Sequence, residues 1–206
     1  MKVAYETDQP MTDEACKAAT GKTMAEWYAA IDAIDGLKIG RREVGNFLYE
    51  ACNKEAWWPG ALTVEYERHH NKVEKDGRPK GYFICSTKTL NVPVDAAYNA
   101  WTSESALAPW FGKGVKVDLQ EGGELVDPDG NRATFKRIRE NKDLRFTWVG
   151  ETGDESLVDV VFTDKGGGKT GLLINHDRLQ TKAEADGIRR AWSEALDLMK
   201  KHLETK

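Results

Sequence analysis

The segment GLLINHDRL sets His176, Asp177 and Arg178 side by side. A histidine beside a carboxylate can act as a general base when it faces a pocket within hydrogen-bond reach of a substrate proton. Neighbouring residues of a strand point to opposite faces, so His176 and Asp177 are not expected to pair. Solvated polar residues at a strand end are the plainer account of the trio. Arg137 and Arg139, two apart in RATFKRIR, share a face and could hold an anion, although an exposed polar face explains them equally. Phe135 and Ile138 fall out of phase along that segment, which predicts a bulge.

Metal and phosphate chemistry find less support. His69 and His70 are adjacent in VEYERHH and would stand roughly 100° apart around a helix, whereas a helical chelate uses positions i and i+4. Glu65 and His69 have that spacing, but no third ligand follows. Cys16, Cys52 and Cys85 are an odd, scattered set without CxxC spacing, as expected of reduced thiols. DKGGGK lacks the GxxxxGK[ST] spacing of a phosphate loop and lies between strand patterns, so it is expected to be a flexible hairpin. No nucleophile elbow, dinucleotide fingerprint or metal cluster stands out. The expectation is therefore no catalytic residue, no metal and no cofactor.

The elements that must position these residues differ between the two parts of the chain. Of 206 residues, the first third carries helical spacing. Thr23 and Glu26 have the separation of a capping box, opening a helix near Met24 with Trp27, Tyr28, Ile31 and Ile34 on one stripe. GLKIG is expected to break it. A second helix is predicted from Arg41 to Lys54, with Val44, Phe47, Leu48 and Ala51 on its apolar face. A third, ALTVEYERHH, follows Trp57 and Trp58. NKVEKDGRPKG is charged and punctuated by Gly77, Pro79 and Gly81, the composition of a linker. The predicted boundary separates a helical domain with its linker, 1–79, from a second domain, 80–206.

Beyond the linker the period changes. GYFICSTKTLNV reads as a strand halted by Pro93, and VDAAYNAWTSESALAPWFG as two short helices ending at Gly112. Strand patterns then alternate with the turns EGG, DPDG, ENKD, ETGDE and DKGGGK, as in an antiparallel meander. Val115, Val117 and Leu119 share one face, as do Leu144, Phe146 and Trp148. TKAEADGIRRAWSEALDLMKKHLE is the strongest helix, with Ile188, Trp192, Ala195, Leu196, Met199 and Leu203 in one stripe that needs an apolar partner. These elements predict an α+β fold, a curved antiparallel sheet wrapped around a long C-terminal helix, preceded by a small all-α domain.

The chain's formal net charge is −4, with 11 basic against 14 acidic residues up to position 79 and 19 against 20 beyond it. Neither part has the basic footprint of nucleic-acid binding. No apolar run approaches the roughly 20 residues that span a bilayer, and MKVAYETDQPMTDEACK lacks the apolar core of a secretory signal, so a cytoplasmic location is expected.

VPVDAAYNAWTSESALAPWFG, through Pro93, Val94, Tyr98, Trp101, Leu107 and Trp110, resembles the opening helical pair of the START-like helix-grip (SRPBCC) superfamily. The resemblance is to the branch of the activator of heat-shock protein 90 ATPase C-terminal domain. The closing helix, through Gly187 and Trp192 in a GxxxxW pattern, is similar to the same family, so the resemblance covers residues 81–204. These are packing patterns and carry no catalytic signature. TGKTMAEWYAAID and WWPGALTVEYE resemble a small helical domain of unknown function that some bacterial members carry, whose WWAQxxTVxYE-like tract is matched by Trp57, Trp58, Thr63, Val64, Tyr66 and Glu67. ProGly after the tryptophans departs from that pattern and bears on where the helix begins.

The resemblance implies a cavity between sheet and C-terminal helix for a small apolar or amphipathic ligand. Its candidate lining is Trp110, Phe135, Phe146, Trp148, Trp192, Leu196 and Met199, with Arg137, Arg139 and His176 as polar members. A filled core would use the same aromatic residues. The alternatives are a chaperone-associated protein-interaction module, as in the relatives that stimulate a chaperone ATPase, and a cyclase- or hydrolase-like enzyme. Trp57, Trp58 and Tyr66 are expected at a structural joint, closing the helical core or docking it on the sheet.

Overall fold

A computed structural model describes residues 1–52 and 56–205. The chain forms two compact units, one of residues 7–82 and the other of residues 1–6 together with 83–206. No helix among the described residues is long and apolar enough to cross a membrane.

The unit of residues 7–82 is helical: α1 (Asp13–Thr20), α2 (Met24–Asp32), α3 (Gly36–Ile39), α4 (Arg41–Ala51) and α5 (Trp57–His69). Thr23 closes the capping box on α2, accepting from Glu26 N–H while the Glu26 carboxylate accepts from Thr23 N–H at 2.7 Å. GLKIG does not simply end a helix. It forms the short turn α3, entered through Asp35 in the left-handed region at φ 57°. The predicted C-terminal limit of the second helix, Lys54, lies outside the described residues.

The third helix begins earlier than expected. Trp57 and Trp58 form its first turn, and Pro59 is accommodated there because an N–H at that position has no intrahelical acceptor to lose. Cys16, Trp27, Ile31, Val44, Leu48, Cys52, Trp58, Leu62 and Tyr66 make this unit's core. Arg41 ties α4 to α5, donating Nε–H to Glu67 at 3.0 Å, and also donates an Nη1–H to Gly81 O at 2.8 Å. The charged segment after α5 is itself ordered by a bridge between Val73 and Pro79.

The other unit holds a seven-stranded, curved, unclosed antiparallel sheet in the order β1-β7-β6-β5-β4-β3-β2. Its elements are β1 (Tyr82–Leu90), α6 (Val94–Asn99), α7 (Glu104–Leu107), β2 (Lys116–Val117), β3 (Glu124–Val126), β4 (Arg132–Arg139), β5 (Asp143–Val149), β6 (Glu155–Asp164), β7 (Thr170–Leu179) and α8 (Lys182–Glu204). The turns read from sequence connect β2 through β7 in succession. The β6–β7 hairpin carries Gly166, Gly167 and Gly168 in succession at φ 76°, 61° and 70°, a conformation that side chains with a Cβ resist. The phase break in β4 is a register shift between Phe135 and Arg137.

Thr181 caps α8 by accepting from Glu184 N–H at 3.1 Å. The helix buries Ile188, Trp192, Ala195, Leu196 and Met199, while Leu203 is only half-buried. Residues 1–6 cross α8 at Gly187, where a Cβ would come within 2.2 Å of Ala4 O. Arg190 fastens the same segment by donating to Glu6 O at 2.7 Å. This close backbone approach is the physical reason for the glycine of the GxxxxW pattern.

Candidate functional site

The inward face of the sheet alternates along each strand. Leu144, Phe146 and Trp148 point in from β5, Ser156, Val158, Val160 and Phe162 from β6, and Leu172, Ile174 and His176 from β7, all of them buried. The segment between α6 and β2 adds Trp101, Trp110 and Phe111, and α8 adds Trp192. The rings meet in a continuous cluster. Trp101 lies 4.7 Å from Trp110, Trp110 lies 5.3 Å from Phe111, and Phe111 lies 6.1 Å from both Trp148 and Trp192. Trp192 is also 6.2 Å from Trp101 and 6.3 Å from Trp148. Phe135 and Phe146 form a separate pair at 5.6 Å.

His176 sits inside this cluster, with no exposed surface. Trp192 Nε1–H donates to His176 Nδ1 at 3.1 Å, and His176 Nε2 is 2.7 Å from Ser156 Oγ. Ser156 spends its own proton on Trp148 O at 3.0 Å. The directions are therefore fixed: Ser156 accepts, so the imidazole is the neutral Nε2–H tautomer. Burial pushes its pKa down to about 3. In a nucleophile-activating pair the histidine must accept the hydroxyl proton and be oriented from its other nitrogen by an acceptor. Here both relations are reversed, so Ser156 and His176 form a structural relay. The solvated strand-end position expected for His176 is replaced by full burial, because strand alternation places it with Leu172 and Ile174. Asp177, as expected, faces away and is half-buried.

The four indoles of the cluster differ in one respect. Trp110 Nε1–H donates to Ala100 O at 3.1 Å and Trp192 Nε1–H to His176. Trp101 Nε1 and Trp148 Nε1 are buried and have no hydrogen-bond partner among the described residues.

The candidate lining residues from the sequence, Trp110, Phe135, Phe146, Trp148, Trp192, Leu196 and Met199, are each at most 2% exposed, and the ring contacts join Trp110, Trp148 and Trp192. Arg137 and Arg139 stand elsewhere. Past the bulge they project from the opposite face of the sheet, where both donate to Asp143, Arg137 Nε–H at 2.7 Å and Arg139 Nε–H at 2.8 Å. The Arg139 hydrogen bond leads in holding the Asp143 carboxyl below its ordinary range. Arg145 continues the row with paired donations to Asp159 at 2.7 Å. Three residues outside that lining, Trp101, Phe111 and Ser156, complete the cluster. Trp101 already stood in the family pattern, while the role of Ser156 depends on a partner twenty positions away and leaves no local signal.

In the helical unit, Trp58 and Tyr66 are core residues, each 1% exposed. Trp57 packs on Trp58 with ring centroids 4.9 Å apart. Trp58 Nε1–H donates to Gln9 Oε1 at 3.0 Å and Tyr66 O–H to Asp32 at 2.7 Å. His69 and His70 lie against Tyr28 and Tyr66 with their ring planes tilted. No group of three or more His, Cys, Asp or Glu among the described residues could hold a metal ion.

An open antiparallel sheet with a long helix laid across its aromatic inner face defines a helix-grip α+β domain. Residues 91–204, more than half of the chain, match the family described as Activator of Hsp90 ATPase homolog 1-like protein, and the chain belongs to that family. Among solved structures it is similar to CalU16 from Micromonospora echinospora, at 24% identity and TM-score 0.54 over 59% of this chain and 75% of that one. It is also similar to PFC0360w, an HSP90 activator from Plasmodium falciparum, at 22% identity and TM-score 0.55 over 60% of this chain and 97% of that one. A third is MLL2253 from Mesorhizobium loti, at 16% identity and TM-score 0.54 over 60% and 98%. At these identities the likeness establishes the fold alone. Among curated proteins none matches.

Proposed function

We propose that the helix-grip unit binds a small apolar or amphipathic ligand between its sheet and α8. The observation that carries this is the aromatic interior, in which two of four clustered indoles bury an N–H without an acceptor. A buried, unsatisfied donor costs about 1–3 kcal/mol, and such groups in a native protein call for an explanation. A bound molecule that supplies acceptors within an aromatic surround is one that fits. His176 would orient Trp192 in the wall and take no part in proton transfer. Native mass spectrometry of the purified chain, with thermal shifts across a panel of lipids and aromatic metabolites, tests this. A retained small molecule or a concentration-dependent rise in Tm supports it; neither a retained molecule nor any shift rejects it.

A second reading is a chaperone-associated interaction module. It is favoured by the family's description and by large apolar side chains left on the surface of the grip unit, Phe83 at 59% and Leu198 at 51% exposure. Titration of the chain against Hsp90, with the ATPase rate as readout, separates the two: stimulation that Phe83→Ser abolishes favours the module. For either reading we place the protein in the cytoplasm, where its three free cysteines, Cys16, Cys52 and Cys85, would stay reduced.

A further inference from the structure

β1 stands at one end of the sheet and β2 at the other. β2 has 2 residues and β1 has 9, so β1 is the long edge. Which of its backbone groups face outward follows from the ladder. The β6–β7 hairpin closes with Lys165 N–H donating to Lys169 O at 3.0 Å, and antiparallel strands exchange hydrogen bonds at every second pair. The odd-numbered residues of β7 therefore bond to β6, and the even-numbered ones to β1. Residues directly opposite each other share a face of the sheet. Leu172, Ile174 and His176 are buried on the inner face, as are Ile84 and Leu90 of β1. The even-numbered residues of β1 thus bond to β7, and the odd-numbered ones turn N–H and C=O to the free edge.

Both ends of that edge are already used. Gly81 O accepts from Arg41 at 2.8 Å. Thr89 O accepts from Lys200 Nζ at 2.9 Å, and Asn91 N–H donates to Glu204 at 2.7 Å. Between them lie Phe83, Cys85 and Thr87, all exposed, whose outward backbone groups have no partner among the described residues. The span YFICST holds no charge and no proline, two devices that ordinarily blunt a sheet edge.

Three free residues centred on Cys85 are complementary to themselves. A second copy turned antiparallel about a two-fold axis at Cys85 sets its Thr87 opposite Phe83, its Cys85 opposite Cys85 and its Phe83 opposite Thr87. Every free N–H then meets a free C=O. A slip of two residues either way would set Thr87 against Gly81 or Phe83 against Thr89, whose carbonyls are committed. In the centred register each Phe83 ring lies across from a β-branched Thr87, a favourable cross-strand pair. We propose that the chain self-associates through β1, two copies forming one continuous antiparallel sheet across a two-fold axis at Cys85. A contact this short belongs to the small, transient class of interfaces, so the dimer builds up with concentration. It depends on neither reading of the function above.

Analytical ultracentrifugation of the full chain over a concentration series reads the dimer. Cys85 is the exposed member of the three free cysteines. Opposite each other in a hydrogen-bonded pair, the two Cα atoms would stand about 5.5 Å apart, so bismaleimidoethane should join two copies through Cys85 in proportion to the dimer. Thr87→Pro deletes an outward N–H and spares the bonds to β7, a change that edge strands accept. It should weaken association about tenfold with the circular-dichroism spectrum unchanged. Cys85→Lys and Cys85→Glu each set like charges opposite each other. Each alone should be monomeric where the unaltered chain dimerises, and their equimolar mixture should recover the dimer. Ser193→Lys, at an exposed position of α8, should leave association unchanged. If Thr87→Pro does not fold, the mixture of charged variants still decides. A monomer at every concentration up to the solubility limit, a dimer that both charged variants leave intact, or a mixture no more associated than its parts overturns the proposal.

Discussion

His176 shows how one buried side chain sets a pH response. Its folded-state pKa, pushed down to about 3 by burial, lies below the value of about 6.5 for an exposed imidazole. Between those values the unfolded chain binds a proton that the folded chain refuses. Stability from this group is fully present above about pH 6.5 and is lost as pH falls toward 3, at up to about 1.4 kcal/mol per pH unit. Urea denaturation midpoints at pH 7.5 and 5 should show this slope. His176→Asn, which retains an acceptor near Trp192 Nε1, should be less stable at neutral pH by about 1–2 kcal/mol, one lost neutral hydrogen bond plus packing, with the slope reduced. An unchanged slope in the variant would assign it to other groups. Asp143 acts in the same sense at lower pH. Its depressed pKa, set first by the Arg139 hydrogen bond, means that its contribution is present above about pH 3.9 and fades as pH falls through the folded value.

At the scale of elements, α8 and α5 are the two helices whose sequence patterns carry most of the packing. Gly187→Ala would gain up to about 1 kcal/mol of helix propensity. It would also drive a methyl group into Ala4 O, a backbone atom that can move only with its whole segment. Overpacking of this kind costs about 1–3 kcal/mol, so a net loss of Tm is expected, with faster amide exchange across residues 1–6. In α5, Trp58→Ala should destabilise the helical unit by about 3–5 kcal/mol, read by chemical denaturation. A loss below about 1 kcal/mol, the scale of a surface substitution, would remove Trp58 from the core-closing role assigned to it.

These elements were legible to different degrees. The capping box, the α8 stripe, the hairpin turns and the bulge in β4 follow from local spacing, so sequence reveals them. The start of α5 was misplaced because Pro59 resembles a helix breaker but sits where helices tolerate it. The burial of His176 is not legible, and the face of Arg137 stays open between an anion site and an exposed polar face. The first depends on Ser156 and Trp192 meeting across the fold, the second on which side a bulged strand presents after its register shift.

For the whole molecule, the relation between sequence order and spatial order has the largest consequence. Residues 1–6 precede α1 but belong to the grip unit. They are held there by Arg190 and by Tyr5, whose hydroxyl oxygen accepts from Glu151 N–H at 3.1 Å. Hydrogen exchange under mild denaturant is therefore expected to protect the ordered amides of residues 1–6 together with β4–β7 and α8, in a cooperative unit separate from α1–α5. Their exchange in step with α1 would contradict that assignment. Met1, Val3 and Tyr5 alternate with more exposed neighbours, but no local pattern announces this arrangement, because the partners lie more than 120 positions away.

The ring cluster also has an optical consequence. Indoles as near as Trp101 and Trp110, with centroids 4.7 Å apart and planes inclined at 63°, have electronic transitions that cannot be excited independently. Their coupled absorption should split into circular-dichroism bands of opposite sign. Movement of the wall segment that carries both rings would then change that couplet, so the segment's conformation can be followed by light alone, without a label.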